Sequence, residues 1–146
     1  MESRLNDRRV NQSWWALKLA FGVVPIVAGL DKFLNLLTNW EQYLSPLIAR
    51  VVPASTFMHG VGLIEIAAGL LVLSRWTRVG AYVVSAWLVG IALNLLTTGH
   101  YFDIAARDVV MAVGAFALGR LSEVRAPASV EAEQRTGIPR PVHRPA

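Results

Sequence analysis

Two adjacent charges, Asp31 and Lys32, interrupt an apolar run that otherwise extends over residues 14–37. A run of that length crosses a bilayer core of roughly 30 Å at a rise of about 1.5 Å per residue. A charge held in hydrocarbon costs several kcal/mol unless it is paired or solvated. Other segments of the chain are therefore required to supply partners for these two side chains, which predicts helices gathered around a shared polar layer.

Three further apolar stretches are available for this, at residues 57–73, 79–96 and 101–121. The chain of 146 residues is 54% hydrophobic and 16% charged, with mean hydropathy +0.44, which is too apolar for an ordinary soluble domain. The expected fold class is all-α, an integral membrane four-helix bundle. Residues 1–13 form a polar N-terminal segment, and residues 122–146 a Pro/Arg-rich tail whose composition supports no core of its own. Trp14 and Trp15 before the first span, and Trp40 and Tyr43 after it, match the aromatic belts of membrane interfaces. Gly22, Pro25 and Gly29 allow a kink and close helix contact, as do the pairs Ala81/Ser85 and Ala86/Gly90 in the third span. Ser55 or Thr56 is the expected N-cap of the second span, and residues 47–52 are expected to lie as a short turn along the interface. The first apolar segment is too long for the core of a signal peptide and ends without a small-residue cleavage site, so it reads as a retained span.

Four spans place both termini on one side. On that side fall Arg4, Arg8, Arg9, Lys18, Arg75, Arg78, Arg120, Arg125, Arg135, Arg140 and Arg144, against Lys32, Arg50 and Arg107 opposite. By the positive-inside rule both termini are expected in the cytoplasm. The net charge of +4 is thus a topology signal, and its confinement to tails and the short link 74–78 argues against nucleic acid as a partner. The absence of cysteine excludes thiolate catalysis, disulfide exchange and Cys-ligated metal centres. No His-Glu-x-x-His, glycine-rich phosphate loop or Ser/His/Asp arrangement is present, and no metal site is expected.

Topology also assigns depth. Lys32 lies eight residues from Trp40 and Glu65 eight residues from Phe57, so each is expected about 12 Å below the outer boundary, within reach of the other. Arg107 is expected about 9 Å deep on the same rise, and Asn94 near the outer end of the third span. Asp31 and Asn35 share a helix face, while His100, Asp103 and Arg107 follow helical spacing, the last two as an i,i+4 pair. These observations predict a polar pocket at or just under the outer face, formed by Asp31, Lys32, Glu65, Asn94, His100, Asp103, Arg107 and Asp108 above a dry core. Glu65 and Asp103 are the candidate proton-carrying carboxylates, and His59 and His100 are candidate donors to a quinone carbonyl or haem ligands. Alternatively, the ion pairs serve only to hold helix register.

Two stretches resemble a known family. Residues 17–22 continuing to Ala28-Gly-Leu-Asp-Lys32-Phe33, and Gly62-Leu-Ile-Glu65-Ile-Ala-Ala-Gly69-Leu-Leu, are similar to the first two helices of DoxX-type membrane proteins, over a likeness spanning about residues 15–120. The resemblance implies a four-helix protein of the bacterial cytoplasmic membrane. That family includes small subunits of a thiosulfate:quinone oxidoreductase, and other members resemble accessory components of membrane redox systems. It carries over Lys32 and Glu65 as a polar pair and, more loosely, Asp103 to Asp108, whereas Asp31 and the Pro-rich tail have no match in it. The expectation is an accessory or redox-linked subunit of a membrane complex, in contact with the bilayer and with other subunits, whose pocket takes a quinone or small anion. A purely structural subunit, packing through its helices and tail, and a small proton-coupled transporter working through Glu65 are the alternatives.

Overall fold

The computed structural model describes the backbone of residues 2–135 and the side chains of residues 8–125. The order of elements is α1 (Glu2–Leu34), a 3-10 turn (Trp40–Tyr43), α2 (Pro46–Ala49), α3 (Ala54–Leu73), α4 (Thr77–Thr97) and α5 (Phe102–Arg135). No strand occurs among the described residues.

Local chemistry sets the helix ends. α1 stops three residues short of the expected end at 37, because Asn35 adopts φ 50°, a left-handed conformation that asparagine tolerates better than most residues. Asn35 thereby leaves the helical face it was expected to share with Asp31. α3 begins at Ala54 with Pro53 as N-cap and no side-chain cap, so neither Ser55 nor Thr56 caps it and both fall in its first turn. α2 is short and capped by Ser45, whose side chain accepts from the Leu47 N–H, with Pro46 at a position where a missing N–H has no cost. α5 continues past the expected end at residue 121 to Arg135, so the first part of the tail is helical. Residues 136–146, including His143, lie outside the described residues.

Three helices are long and apolar enough to cross a membrane: Arg8–Leu34 with 27 residues, α3 with 20 and α4 with 21. At about 1.5 Å per residue they measure roughly 40, 30 and 32 Å. α5 differs, since its charge-free stretch, residues 109–119, lies between Asp108 and Arg120 and is only about 16 Å long on the same rise.

The distribution of residues is inverted relative to a soluble domain. Leu19, Val24, Val27 and Leu30 of α1, Leu63 and Leu70 of α3, Val79 and Leu93 of α4, and Val110, Val113 and Phe116 of α5 all face outward. The interior holds Lys18, Asp31, Lys32, Glu65 and Asp108. A large apolar exterior around buried charges is the expected arrangement where the surrounding solvent is lipid. α1 packs on α3 and α4 on α5, and α3–α4 and α1–α5 contacts join these two antiparallel hairpins. Trp14 of α1 donates to Ser122 of α5, so the N-terminal half of α1 and the C-terminal half of α5 lie at the same end of the bundle.

The α1–α3 contact depends on absent side chains. A Cβ added to Gly29 would lie 2.5 Å from the Gly62 carbonyl oxygen, and one added to Gly62 would lie 2.7 Å from the Gly29 oxygen. Seven residues along each helix, a Cβ added to Gly69 would lie 2.5 Å from the Gly22 carbonyl oxygen, while one added to Gly22 would run into the Leu73 side chain. Two apolar clusters fill the interior. Ala68, Val72, Ala81, Val84, Ala115 and Leu118 pack at the end that carries Trp14. Ala92, Leu95 and Ala105 pack at the other end, against Tyr43 and Tyr101.

Candidate functional site

Between those clusters lies a layer of charge. A Cβ built at Gly29 would lie 3.2 Å from Glu65 Cβ and one built at Gly62 3.3 Å from Lys32 Cβ, so the two charged residues flank the glycine contact, and the close approach of the backbones lets their long side chains meet across it. Lys32 Nζ donates to Glu65 Oε2 at 2.6 Å, with both side chains under a tenth exposed. The expected partnership between the two residues is present. Asp108 of α5 is buried in the same layer, and its charge interacts with those of Glu65 and Lys32. The buried Nε1 of Trp87, on α4, is oriented toward Glu65 without closing a hydrogen bond to it. Each of the four long helices thus contributes one polar side chain to the layer.

Asp31 has a different task. Its carboxylate accepts the Leu36 N–H at 3.0 Å, the Leu37 N–H at 3.1 Å and Trp40 Nε1 at 2.7 Å. A carboxylate at the last turn of a helix is unfavourable against the helix dipole, and charge-assisted hydrogen bonds of this kind offset that cost. They also pull the chain after Leu34 back over the helix end. The Trp40 ring consequently sits 3.7 Å from Lys32 Nζ, where a desolvated cation–π contact is worth about 2 kcal/mol. The two charges that interrupt the first apolar run act as a unit, Asp31 orienting the indole whose face covers Lys32. Trp40 was expected about 12 Å above Lys32, on the premise of a helix reaching residue 37; the early turn at Asn35 brings it into contact instead.

Other expected members of the pocket lie elsewhere. Asn94 clamps the loop onto α4, with Oδ1 accepting the Ser45 N–H at 3.0 Å and Nδ2 donating to the Tyr43 carbonyl at 2.8 Å. His100 is exposed, with Nδ1 3.0 Å from the Thr98 carbonyl. Asp103 and Arg107 form their i,i+4 pair at 3.3 Å, but both are about 70% exposed. The reason is angular, because the buried stripe of α5 runs through Ala105, Asp108, Ala112, Ala115 and Leu118, which leaves Asp103 and Arg107 on another face. His59 is also exposed, stacked on Phe33 with ring centroids 4.8 Å apart. Shallow grooves run along α5 at Ala106, Arg107, Val110 and Met111, and between α4 and α5 at Ser85, Val89 and Phe116, away from Lys32 and Glu65. Among the described residues no three His, Asp or Glu side chains converge on a metal position.

Of the expected pocket, what the structure gathers is a buried polar layer of Lys32, Glu65 and Asp108, with Trp40 above and Trp87 beside them. Sequence reasoning missed both tryptophans, because Trp40 reads as an interface residue and Trp87 as one apolar residue among many in its span. Chemically, the layer holds two carboxyl groups and one ammonium in a dry interior, one acid more than the cation matches.

At the opposite end Glu123, just beyond the charge-free stretch of α5, accepts from Tyr82 Oη at 2.8 Å and meets Arg78 at 3.0 Å and Arg120 at 2.7 Å. The Tyr82 hydroxyl and the two guanidinium groups hold its carboxyl below the usual glutamate range. Comparisons of this chain with protein-family models, with curated proteins and with solved structures give no match.

Proposed function

We propose that the chain is a four-span subunit of a bacterial inner membrane with both termini in the cytoplasm, serving as an accessory or redox-linked component of a larger membrane complex. In this reading α5 is the fourth span, and its Asp108 is tolerated in the membrane because it faces Lys32 across the interior. The polar layer exchanges a proton with a quinone or small anion. Lys32 supplies positive charge to the ligand's oxygen, and Glu65 or Asp108 takes one of the two protons that leave with two electrons when a quinol is oxidised to the quinone, the other passing to water at the membrane surface. Electrons pass to a cofactor of a partner subunit.

The observation that carries the reading is the excess carboxyl of the Lys32–Glu65–Asp108 layer. A pair alone would hold register, whereas a second buried acid beside it adds cost unless a proton or ligand completes it. The similarity of residues 28–33 and 62–71 to DoxX-type helices points the same way and rests on those residues alone. Access for a ligand runs through the loop that Asp31 ties over Lys32, so binding requires Trp40 to move aside.

The test is quinone content after purification in mild detergent. Wild-type protein is expected to retain quinone, and Glu65→Gln and Asp108→Asn to lose it while keeping their helical circular dichroism. Quinone retained by both variants, or absent from wild type supplied with it, sinks the reading. A purely structural subunit is the second reading, and Asp31 and Asn94 favour it, since both are bonded to loop backbone. It predicts co-purification with a larger complex that survives Glu65→Gln and is lost when residues 122–146 are removed.

A further inference from the structure

A second cationic centre occupies the other end of the molecule. The Trp14 indole is fixed there by Nε1 donating to Ser122 Oγ at 2.7 Å, whose hydroxyl donates in turn to the Leu118 carbonyl at 2.8 Å. Two cations converge on this one ring, with Lys18 Nζ 4.9 Å and Arg125 Cζ 3.9 Å from its centroid. Lys18 is only 8% exposed, and it commits one of its three N–H donors to the Ser74 carbonyl at 3.1 Å. Arg125 Nη1 is buried with no hydrogen-bond partner among the described residues. The two cations lie close enough to repel each other. Neither is paired with a described carboxylate, because Glu123 is engaged by Tyr82, Arg78 and Arg120.

Like charges held together with an unused buried donor are unfavourable by themselves and become favourable around an anion. A planar guanidinium beside an ammonium suits the oxygens of a phosphate group, and basic pockets between spanning helices are places where lipid head groups dock. We propose that Lys18 and Arg125, assembled on Trp14 where the N-terminal half of α1 meets the C-terminal half of α5, bind a phosphate group, supplied by an anionic phospholipid. Trp15 and Leu19 on α1 and Val124 on α5 are exposed beside the two cations and offer apolar surface to the acyl chains. Free phosphate shares the charge recognition but gains nothing from that surface. The site is independent of the Lys32–Glu65–Asp108 layer and of any function assigned to it.

The test uses the full-length chain in detergent micelles, with lipid adducts counted by native mass spectrometry. Phosphatidylglycerol is expected to bind about tenfold more tightly than phosphatidylcholine, and Arg125→Gln to remove that preference while Arg125→Lys retains most of it. Arg78→Gln, which alters an exposed guanidinium paired with Glu123, serves as the charge control and is expected to leave the preference intact. A parallel thermal melt with inorganic phosphate separates the two sources. Stabilisation of wild type but not Arg125→Gln by phosphate, without lipid preference, assigns the site to the free anion. Equal binding of both lipids with no phosphate effect overturns the proposal, as does Arg125→Gln binding phosphatidylglycerol like wild type. Lys18→Gln also removes a hydrogen bond at the end of α3, so Arg125→Gln is the deciding variant.

Discussion

Lys32 is 5% exposed and its ammonium meets Glu65 Oε2 on one side and the Trp40 ring on another. Breaking such a pair from one end leaves a buried charge without its partner, which typically costs about 3–5 kcal/mol, whereas replacing both ends with apolar groups is often neutral. Lys32→Met, which leaves Glu65 and Asp108 with no ammonium in the layer, is therefore expected to destabilise the protein by that amount in detergent unfolding followed by circular dichroism. The double variant Lys32→Met with Glu65→Leu is expected to recover most of the loss; a double variant as unstable as the single would show that the pair is not the source. Glu123 allows a pH test outside the apolar spans. Its carboxyl is held below the ordinary value in the folded chain, so its contribution is fully present above about pH 4.3 and is lost as pH falls through the lowered folded value. The difference in melting temperature between wild type and Glu123→Gln is expected to shrink on acidification below that point and to be constant from pH 5 upward. At this scale the Lys32–Glu65 partnership was legible in the sequence, because two opposite charges deep in apolar helices have few other ways to be satisfied. The task of Asp31 was not, because its partners are the backbone N–H groups of Leu36 and Leu37, which a pattern of side chains does not reveal.

Helices place these residues through their faces rather than their order. The antiparallel contact of α1 and α3 rests on Gly22, Gly29, Gly62 and Gly69, and its close approach leaves no room for a methyl group at Gly29 or Gly62. Gly29→Ala or Gly62→Ala is expected to cost about 1–3 kcal/mol by overpacking and to weaken the Lys32–Glu65 contact with it. Gly60, two residues away on α3 and with nothing near its missing Cβ, is the control. Gly60→Ala is expected to be neutral or to stabilise by up to about 1 kcal/mol through helix propensity. A comparison of the three melting curves checks the pair of expectations. Small-residue spacing in the sequence found the α1 glycines and the Ala81/Ser85 pair, whose Ser85 Oγ donates to the Ala112 carbonyl across α4 and α5 at 2.8 Å. It equally nominated Ala86/Gly90, yet Gly90 faces open space, since spacing alone does not say which side of a helix meets a neighbour. The same limitation misassigned Asp103 and Arg107, which were placed at a plausible depth but on the exposed side of α5.

For the molecule as a whole, the apolar exterior and buried charges make a membrane the natural solvent, and α5 decides how many times the chain crosses it. Its outward side is apolar at Val109, Val110, Val113 and Phe116, like that of the other three long helices, while Asp108 is turned inward. Counting charges along the sequence shortens α5's uncharged stretch to residues 109–119. Counting only outward-facing residues lengthens its apolar side, because a charge turned into the interior is not presented to lipid. α5 is packed along α4 and meets Trp14 through Ser122, and the proposed four-span reading has it cross back beside α4. The absence of native cysteine makes this directly measurable, since single cysteines can be introduced without background. Gln12→Cys, Arg75→Cys and Val124→Cys are expected to react with an impermeant maleimide only from the cytoplasmic side of membrane vesicles. Glu41→Cys and Asp103→Cys are expected to react only from the opposite side. If Asp103→Cys and Val124→Cys label from the same side, α5 does not cross; Asp108 then lies outside the bilayer, and the proton-exchanging layer loses one of its two acids.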